Sequence, residues 1–312
     1  MKQEIKSNIR GMFLARHADK GNGAMSQKHL GISDQGEREV RQYATRLQQM
    51  IEQSPQNAVF FLGACSEHQR TDATALAYMD KVSRGYNGRE DVVVYVPKAI
   101  ERWQQEKAQA KLPNMSTSIP YNNKGVSNLT LREIRDTIKE TRKVIKDNPD
   151  KKVIVCLPLY LKDFSFFRHG WINPQTYDFN DYAKKILEGR VELPEQEQYG
   201  HLTRRWLETQ GRLDSFKGPN PQDCMGDFEK GVGRYKRFAS RFAGGRPTYT
   251  GTFNHAWEAD AYATKEATEK LTPEAFDEVF GKKALATAEP VTILSNGTTK
   301  TVSVRNREWG RK

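Results

Sequence analysis

Short apolar segments alternate with segments of helical periodicity along this chain. The segments "GMFLA" (11–15), "AVFFLGAC" (58–65) and "VVVYV" (92–96) have the length and composition of buried strands. Helical patterns follow the first two, beginning at Ser33 and again over about 68–83. Strands that alternate with helices form largely parallel sheets covered by helices. The sequence therefore predicts an α/β fold, a three-layer sandwich around a mostly parallel central sheet.

The middle of the chain is less regular than its two ends. A helix over 130–146 and a strand over 151–161 are predicted, but residues 162–224 are rich in Pro, Gly, Asn and aromatic residues. Regular patterns return in a helix over 225–243, a strand over 248–253, a helix over 257–270 and a hairpin over 291–304 that turns at Asn296-Gly297 as type I′. We interpret the chain as a single domain, 1–312, with a core over 1–112 and 225–312 and an insertion or lid over 113–224.

The charge of the chain favours an anionic partner without naming it. The formal net charge is +11, and the Lys and Arg residues are dispersed rather than clustered. No DNA- or RNA-binding motif accompanies this charge, so nucleic acid is not the expected partner. No apolar run approaches the roughly 20 residues that span a bilayer, and "MKQEIKSNIRGM" has no apolar signal-peptide core. We therefore expect a cytoplasmic protein without a membrane partner, whose basic surface attracts anions such as phosphorylated small molecules.

Three of the predicted strands end in basic residues that suit an anion. The first ends at Arg16-His17, the second leads through Ser66 to Arg70, and a late strand ends at His255. In open parallel sheets, ligands bind beyond the carboxyl ends of the strands, so these side chains are expected to converge. Two guanidinium groups and two imidazoles supply the charge and the donors of a phosphate site. A neutral imidazole can also attack phosphorus.

These segments resemble the motifs of the histidine phosphatase superfamily, which has the phosphoglycerate mutase-like fold. "ARHADK" is similar to the first motif, a strand followed by Arg-His, and "GISDQGEREVRQYATRL" is similar to the helix start that follows it. Ser66, Arg70, Thr74 and Ala75 are in the register of the second motif. "IERW", which contains Glu101, matches the segment that carries the acid/base carboxylate of the family. "GTFNHAWEADAY" matches the last strand and the helix that follows it. The resemblance covers about 1–110 and 225–312.

The resemblance implies a phosphohistidine mechanism and assigns a role to each matching residue. His17 would be the nucleophile, and Arg16, Arg70 and His255 would hold the phosphoryl oxygens. Glu101 would protonate the leaving oxygen and then activate water. No metal or other cofactor is implied, since side chains supply the positive charge.

Lys20 is a weaker member of the same predicted site, adding positive charge near the phosphate. Each site residue also has a purely structural interpretation: a strand terminus, a solvated helix arginine, a core histidine, or a glutamate favoured by a helix N-terminus. "FFRHGW" contains a second Arg-His-Gly, at Arg168-His169-Gly170, but no matching helix or strand follows it.

Three other functions remain open from the sequence. A phosphomutase is disfavoured because "ADKGNGAMSQKHLG" lacks the Trp-Asn that follows the first motif in phosphoglycerate mutases. A catalytically silent relative would keep the Arg/His pocket and bind phospho-ligands without turnover. A nucleic-acid binder would show binding that weakens steeply with salt.

Overall fold

The structure is a computed structural model and describes most of the chain. The described residues are 8–20, 26, 31–66, 69–97, 131–160, 183, 185–188, 192–213 and 216–311. Glu101 and Arg168-His169-Gly170 lie outside them, so the interpretations given to these residues above remain predictions.

A mixed eight-stranded sheet forms the centre of the fold. In chain order the strands are β1 (Ile9–Arg16), β2 (Val59–Cys65), β3 (Val92–Tyr95), β4 (Lys152–Tyr160), β5 (Arg212–Leu213), β6 (Phe216–Lys217), β7 (Thr248–Asn254), β8 (Pro290–Ser295), β9 (Lys300–Val304) and β10 (Arg307–Arg311). The order in the sheet is β10-β9-β8-β1-β7-β2-β4-β3, and β5 and β6 form a separate pair. Strands β1, β7, β2, β4 and β3 are parallel to one another. Strands β8, β9 and β10 continue the sheet beyond β1 through antiparallel pairs.

Helices pack on both faces of this sheet. They are α1 (Asp34–Gln53), α2 (Gln69–Gly85), α3 (Leu131–Asp147), α4 (Glu195–Thr209), α5 (Pro221–Phe242), α6 (Ala256–Thr268) and α7 (Pro273–Phe280). Alternate residues of β1 point to opposite faces, so Phe13 packs in the core with α1 and α2, while Met12 packs in the core with α5 and α6. The predicted α/β fold is confirmed, and the antiparallel strands at one edge make its sheet mixed.

The start of α1 follows directly from the sequence. Ser33 is the N-cap, and its hydroxyl accepts a hydrogen bond from Gly36 N at 3.1 Å. One apolar face of the helix is buried, with Val40, Ala44 and Leu47 in the core. The Ser33 hydroxyl also donates to Asp19 Oδ2 at 2.5 Å, and Ser33 N donates to Asp19 O at 2.8 Å. The helix start therefore fixes the loop that leaves β1.

The parallel strands bring distant residues to one edge of the sheet. In the register of β1 and β7, Arg16 pairs with Asn254, and in that of β2 and β7, Cys65 pairs with Phe253. The residues that follow these strands, His17, Ser66 and His255, consequently leave the sheet side by side.

Part of the segment predicted as an insertion belongs to the central sheet. Strand β4 falls within 113–224, yet it pairs with β2 from Val59↔Val153 onward and with β3 from Val92↔Lys152 onward. Residues 152–160 therefore belong to the central sheet, because their apolar run is buried between two neighbouring strands. The assignment of the remaining part of 113–224 as a lid stays a prediction.

The C-terminal hairpin forms as predicted, but its turn is not type I′. Strands β8 and β9 are joined by four residues, and Asn296 N donates to Thr299 O at 3.1 Å. Only Gly297 has a positive φ, at 97°, whereas type I′ needs two such residues. The Asn296 side chain instead accepts from Thr298 N and Thr299 N, which organises the longer loop.

The length and hydropathy of the described helices decide whether one of them could span a membrane. None of the helices within the described ranges is both long and apolar enough to cross a bilayer.

Candidate active site

Arg16 is a buried cation at the carboxyl end of β1. Its side chain is 2% exposed. Nη1 donates to Leu285 O at 2.7 Å, Nη2 donates to Glu195 Oε1 at 2.6 Å, and the guanidinium carbon lies 4.6 Å from the centre of the Tyr199 ring. Nε is buried and has no hydrogen-bond partner among the described residues. Arg16 is thus held in place while keeping one N–H donor unused.

His17 is a buried imidazole fixed by its own backbone and its neighbours. His17 N donates to Asn254 O at 2.7 Å, and Nδ1 lies 2.9 Å from Ala18 O. A carbonyl oxygen only accepts, so Nδ1 carries the proton and Nε2 keeps its lone pair. Burial lowers the pKa of His17 well below 6.5, and the charges of Arg70 and Arg16 lower it further. The result is a neutral imidazole with a nucleophilic nitrogen.

The turn from β2 into α2 places Arg70 beside the loop of His17. Thr74 joins the two, since its hydroxyl accepts from Ala18 N at 2.8 Å and donates to Arg70 O at 2.6 Å. Arg70 Nε is buried and, within the described ranges, has no hydrogen-bond partner. Burial lowers the pKa of Arg70 to about 10. Thr74 therefore ties the second motif to the first.

His255 is the N-cap residue of α6 and is bonded through both ring nitrogens. Nδ1 accepts from Arg70 Nη2 at 3.1 Å, because a guanidinium only donates, so Nε2 carries the proton and donates to Ser66 Oγ at 3.1 Å. Ser66 Oγ lies 3.1 Å from Thr71 Oγ1, which donates to Ser66 O at 3.0 Å. His255 N donates to Glu258 Oε2 at 3.0 Å. These bonds define one ring orientation and one tautomer of His255.

The predicted residues that the structure describes form one cluster. The ring centroids of His17 and His255 are 5.2 Å apart, and Arg70 bonds directly to His255. Lys20 is close enough to Arg70 and His17 to influence both charges, and burial lowers the pKa of Lys20 to about 8. Arg16, His17, Lys20, Arg70 and His255 are thus brought together, whereas Glu101 lies outside the described residues.

The electrostatic character of the cluster is that of an anion site. Three cationic side chains and two imidazoles share a largely buried space, where charge repulsion is poorly screened. The lowered pKa values of His17, Lys20 and Arg70 all reflect this burial. An anion with several oxygens would relieve the repulsion and bond to the Nε donors of Arg16 and Arg70, which have no partner among the described residues.

Two site residues, Glu195 and Tyr199, are absent from the sequence predictions. Both lie on α4, one turn apart, and both contact Arg16. A signal for this helix was present in the sequence: Pro194 precedes two acidic residues, and apolar residues follow at 199, 202 and 206. The helix lies in the segment interpreted as an irregular insertion, which hid the pattern.

Among the described residues, no group of three or more His, Cys, Asp or Glu side chains is arranged to hold a metal ion. The groups at the edge of the sheet are instead nitrogen donors suited to an oxyanion.

Comparisons with known proteins give structural likenesses but no match in sequence. No protein-family model and no curated protein matches this chain. A solved structure described as "a putative alpha-ribazole-5'-P phosphatase from Escherichia coli str. K-12 substr. MG1655" is similar over 96% of this chain and 97% of that chain, with 10% sequence identity and a TM-score of 0.40. That TM-score is too low to establish a common fold.

Proposed function

We propose that this chain is a phosphomonoester hydrolase of the histidine phosphatase type, acting through a phosphohistidine on His17. One observation supports this most strongly: a buried, neutral His17 lies 5.2 Å from His255 between two arginines whose Nε donors are unpaired in the described structure. A nucleophilic nitrogen surrounded by oxyanion donors is the arrangement that phosphoryl transfer requires. The fold we propose is correspondingly phosphoglycerate mutase-like.

The proposed reaction has two steps. His17 Nε2 attacks phosphorus, the ester P–O bond breaks, and Arg16 and Arg70 stabilise the charge that develops on the phosphoryl oxygens. Water then attacks the phosphohistidine, the P–N bond breaks, and its electron pair returns to His17. Lys20 adds positive charge at the rim. The resemblance assigns Glu101 as the acid in the first step and the base in the second.

The role of His255 follows from its two hydrogen bonds. Because its Nδ1 accepts from Arg70 and its Nε2 donates to Ser66, His255 orients Arg70. A phosphoryl oxygen that replaced Ser66 as the acceptor would receive the same Nε2 proton. Contact between His255 and a phosphoryl oxygen is the role that the resemblance implies for His255.

The expected substrates are phosphorylated small molecules or phosphoproteins, and the cationic side chains remove the need for a metal. Hydrolysis of p-nitrophenyl phosphate in EDTA tests the proposal, with wild type, His17→Ala and His169→Ala compared. We expect His17→Ala to lower kcat by about 1,000-fold or more and His169→Ala to retain activity. Equal activity of wild type and His17→Ala would contradict the proposal. Phosphate binding without turnover in the wild type would favour the silent relative.

A further inference from the structure

We propose that Glu195, in place of Glu101, is the proton donor and acceptor of this site, a role that rests on the proposed function. Glu195 Oε1 accepts from Arg16 Nη2 at 2.6 Å. The same carboxylate is near enough to Lys20 to act on its charge. Glu195 therefore contacts one cation of the predicted phosphate site and influences a second, on a helix that no sequence motif assigned to the site.

The position of Glu195 is set by packing of α4 and not by chance contact of a surface side chain. Tyr199, one turn further along, lies under the Arg16 guanidinium. The backbone of the first turn is anchored, since Ala284 N donates to Gln196 O at 3.0 Å. A methyl group at Gly200 would lie 2.0 Å from Lys282 O, so the helix and the segment after α7 are in close backbone contact. The carboxylate is consequently delivered to Arg16 by a fixed element.

Three buried carboxylates near this edge of the sheet are already committed to structural bonds, and Asp19, in the loop after β1, accepts from the Ser33 hydroxyl. Glu258 accepts from His255 N, Glu289 accepts from Ala286 N and Arg305, and Asp260 accepts from Leu285 N. All three are at most 3% exposed. Glu195 differs because its side chain is 56% exposed and touches Arg16 directly. It can exchange a proton with solvent while remaining in contact with a phosphate-binding group.

Binding of a phosphate ester changes the balance of charge around Glu195. The Glu195 carboxylate pairs with Arg16, whose Nε has no hydrogen-bond partner in the part of the chain that is described. A phosphoryl group on Arg16 places a second anion beside the carboxylate, and like charges in close contact favour uptake of a proton by one of them. In the proposed mechanism Glu195 takes this proton from solvent and passes it to the ester oxygen.

Every proton is accounted for over the two steps. In the first, His17 Nε2 bonds to phosphorus, the P–O bond to the leaving group breaks, and the Glu195 proton passes to the leaving oxygen to give an alcohol. In the second, Glu195 takes a proton from the attacking water, the P–N bond breaks, and the electron pair returns to His17. Inorganic phosphate leaves and the Glu195 carboxylic acid is again available for a further turnover.

Leaving-group dependence tests this assignment. Phenyl phosphate has a poor leaving group that needs a proton, whereas dinitrophenyl phosphate has a good one that does not. Glu195→Gln removes the proton but keeps an amide oxygen that accepts from Arg16. We expect kcat/KM for phenyl phosphate to fall about 100-fold, with a loss within about threefold for dinitrophenyl phosphate. Glu197→Gln is the matched control, since Glu197 lies on the same helix and pairs with Lys283 at 3.1 Å.

The outcomes separate this proposal from the one on which it rests. Equal losses on both esters, or no loss, would overturn the role of Glu195 and reduce it to a positioning contact for Arg16. Leaving-group-dependent loss in Glu101→Gln, with none in Glu195→Gln, would assign the acid to Glu101. A wild type that hydrolyses neither ester would overturn the proposed hydrolase and the role of Glu195 with it, whereas an active wild type with an inactive His17→Ala leaves only Glu195 in question.

Discussion

His17 is the residue on which the proposed chemistry depends, and its charge state follows from where it lies. Burial and the adjacent arginines penalise the imidazolium, so the pKa of His17 is well below 6.5. We therefore expect kcat/KM, corrected for ionisation of the substrate, to stay constant as the pH falls from about 7 to about 6. A pH profile of kcat/KM for p-nitrophenyl phosphate measures this, because kcat/KM reports the free enzyme.

Arg70→Gln provides the companion test of that pH profile. Removing the Arg70 charge removes the second-largest influence that lowers the pKa of His17, after burial itself. The acidic limb of the profile should consequently move toward neutral pH in the variant. An acidic limb near the ordinary histidine value in wild type, unchanged in Arg70→Gln, would contradict the buried, cation-flanked environment described for His17.

Asp260 offers a prediction about stability. It is fully buried beneath the site, where Oδ1 accepts from Leu285 N at 3.2 Å, and burial raises its pKa to about 7. The folded state then binds more protons than the unfolded state between about pH 4 and 7, so this carboxyl lowers stability as the pH rises through that window. Asp260→Asn has no carboxyl to ionise at this position. The Tm of the variant minus the Tm of wild type should therefore increase by roughly 5 °C from pH 5 to pH 8.

The comparison of the two Tm curves removes the constant effects of that substitution. Any cost of the new amide group is the same at both pH values and cancels in the difference. A Tm difference between Asp260→Asn and wild type that does not change with pH would show that Asp260 ionises normally in the folded protein.

At the scale of elements, the start of α1 holds the loop that carries His17. A methyl group at Gly36 would lie 2.5 Å from Asp19 O, which must move to admit it. Gly36→Ala should therefore destabilise the fold by about 1–3 kcal/mol and lower activity by displacing the loop after β1. Denaturant unfolding and kcat measure the two effects.

Gly226→Ala is the matched control for Gly36→Ala. Both glycines lie in helices, but nothing lies within 4 Å of a methyl group at Gly226. Replacing glycine by alanine in an open helix position should add up to about 1 kcal/mol of stability. If Gly36→Ala behaved like Gly226→Ala, the close contact between α1 and the β1 loop would be wrong.

The strands and long helices were predictable because their periodicity is local. Strands β1, β2, β3, β4 and β7 and helices α1, α2 and α3 occur close to their predicted positions. Helix α7 and strand β10 were not predicted, since α7 has only eight residues and the alternation of β10 is interrupted by charged side chains. The place of β4 inside the sheet was also missed, because strand order is decided by long-range pairing and not by local pattern.

The candidate site was predictable where it follows the ends of strands. Arg16, His17, Arg70 and His255 were identified from that rule and from motif spacing, and the structure brings them together. The contact of Glu195 with Arg16 was not, because it joins residues 179 positions apart through a helix with no recognised motif. The hydrogen bonds that fix His255 likewise depend on geometry that spacing alone does not contain.

At the scale of the whole molecule, the site joins segments that are distant in sequence. Arg16, Arg70, Glu195 and His255 come from β1, α2, α4 and the start of α6. A ligand that binds them together binds only the folded chain, so it should stabilise the whole domain. Inorganic phosphate at about 100 times its Kd is expected to raise Tm by about 5 °C or more.

Three arginine variants test whether the rise in Tm comes from phosphate bound at this site. Arg16→Gln and Arg70→Gln should abolish most of the phosphate-dependent rise in Tm, measured as the difference with and without phosphate. Arg89→Gln should retain it, since Arg89 pairs with Glu52 and Asp91 outside the cluster. Equal phosphate shifts in all three variants would place the anion elsewhere on this basic protein.

Detection of a covalent phosphohistidine tests the central claim most directly. The enzyme is mixed with dinitrophenyl phosphate in EDTA, quenched at alkaline pH within the first turnover, and digested for mass spectrometry. The account predicts one phosphorylated peptide, with the phosphoryl group on His17, that is stable to base, lost in acid and absent from His17→Ala. Turnover in wild type without a phosphorylated His17, or phosphate found on His169 instead, would contradict it.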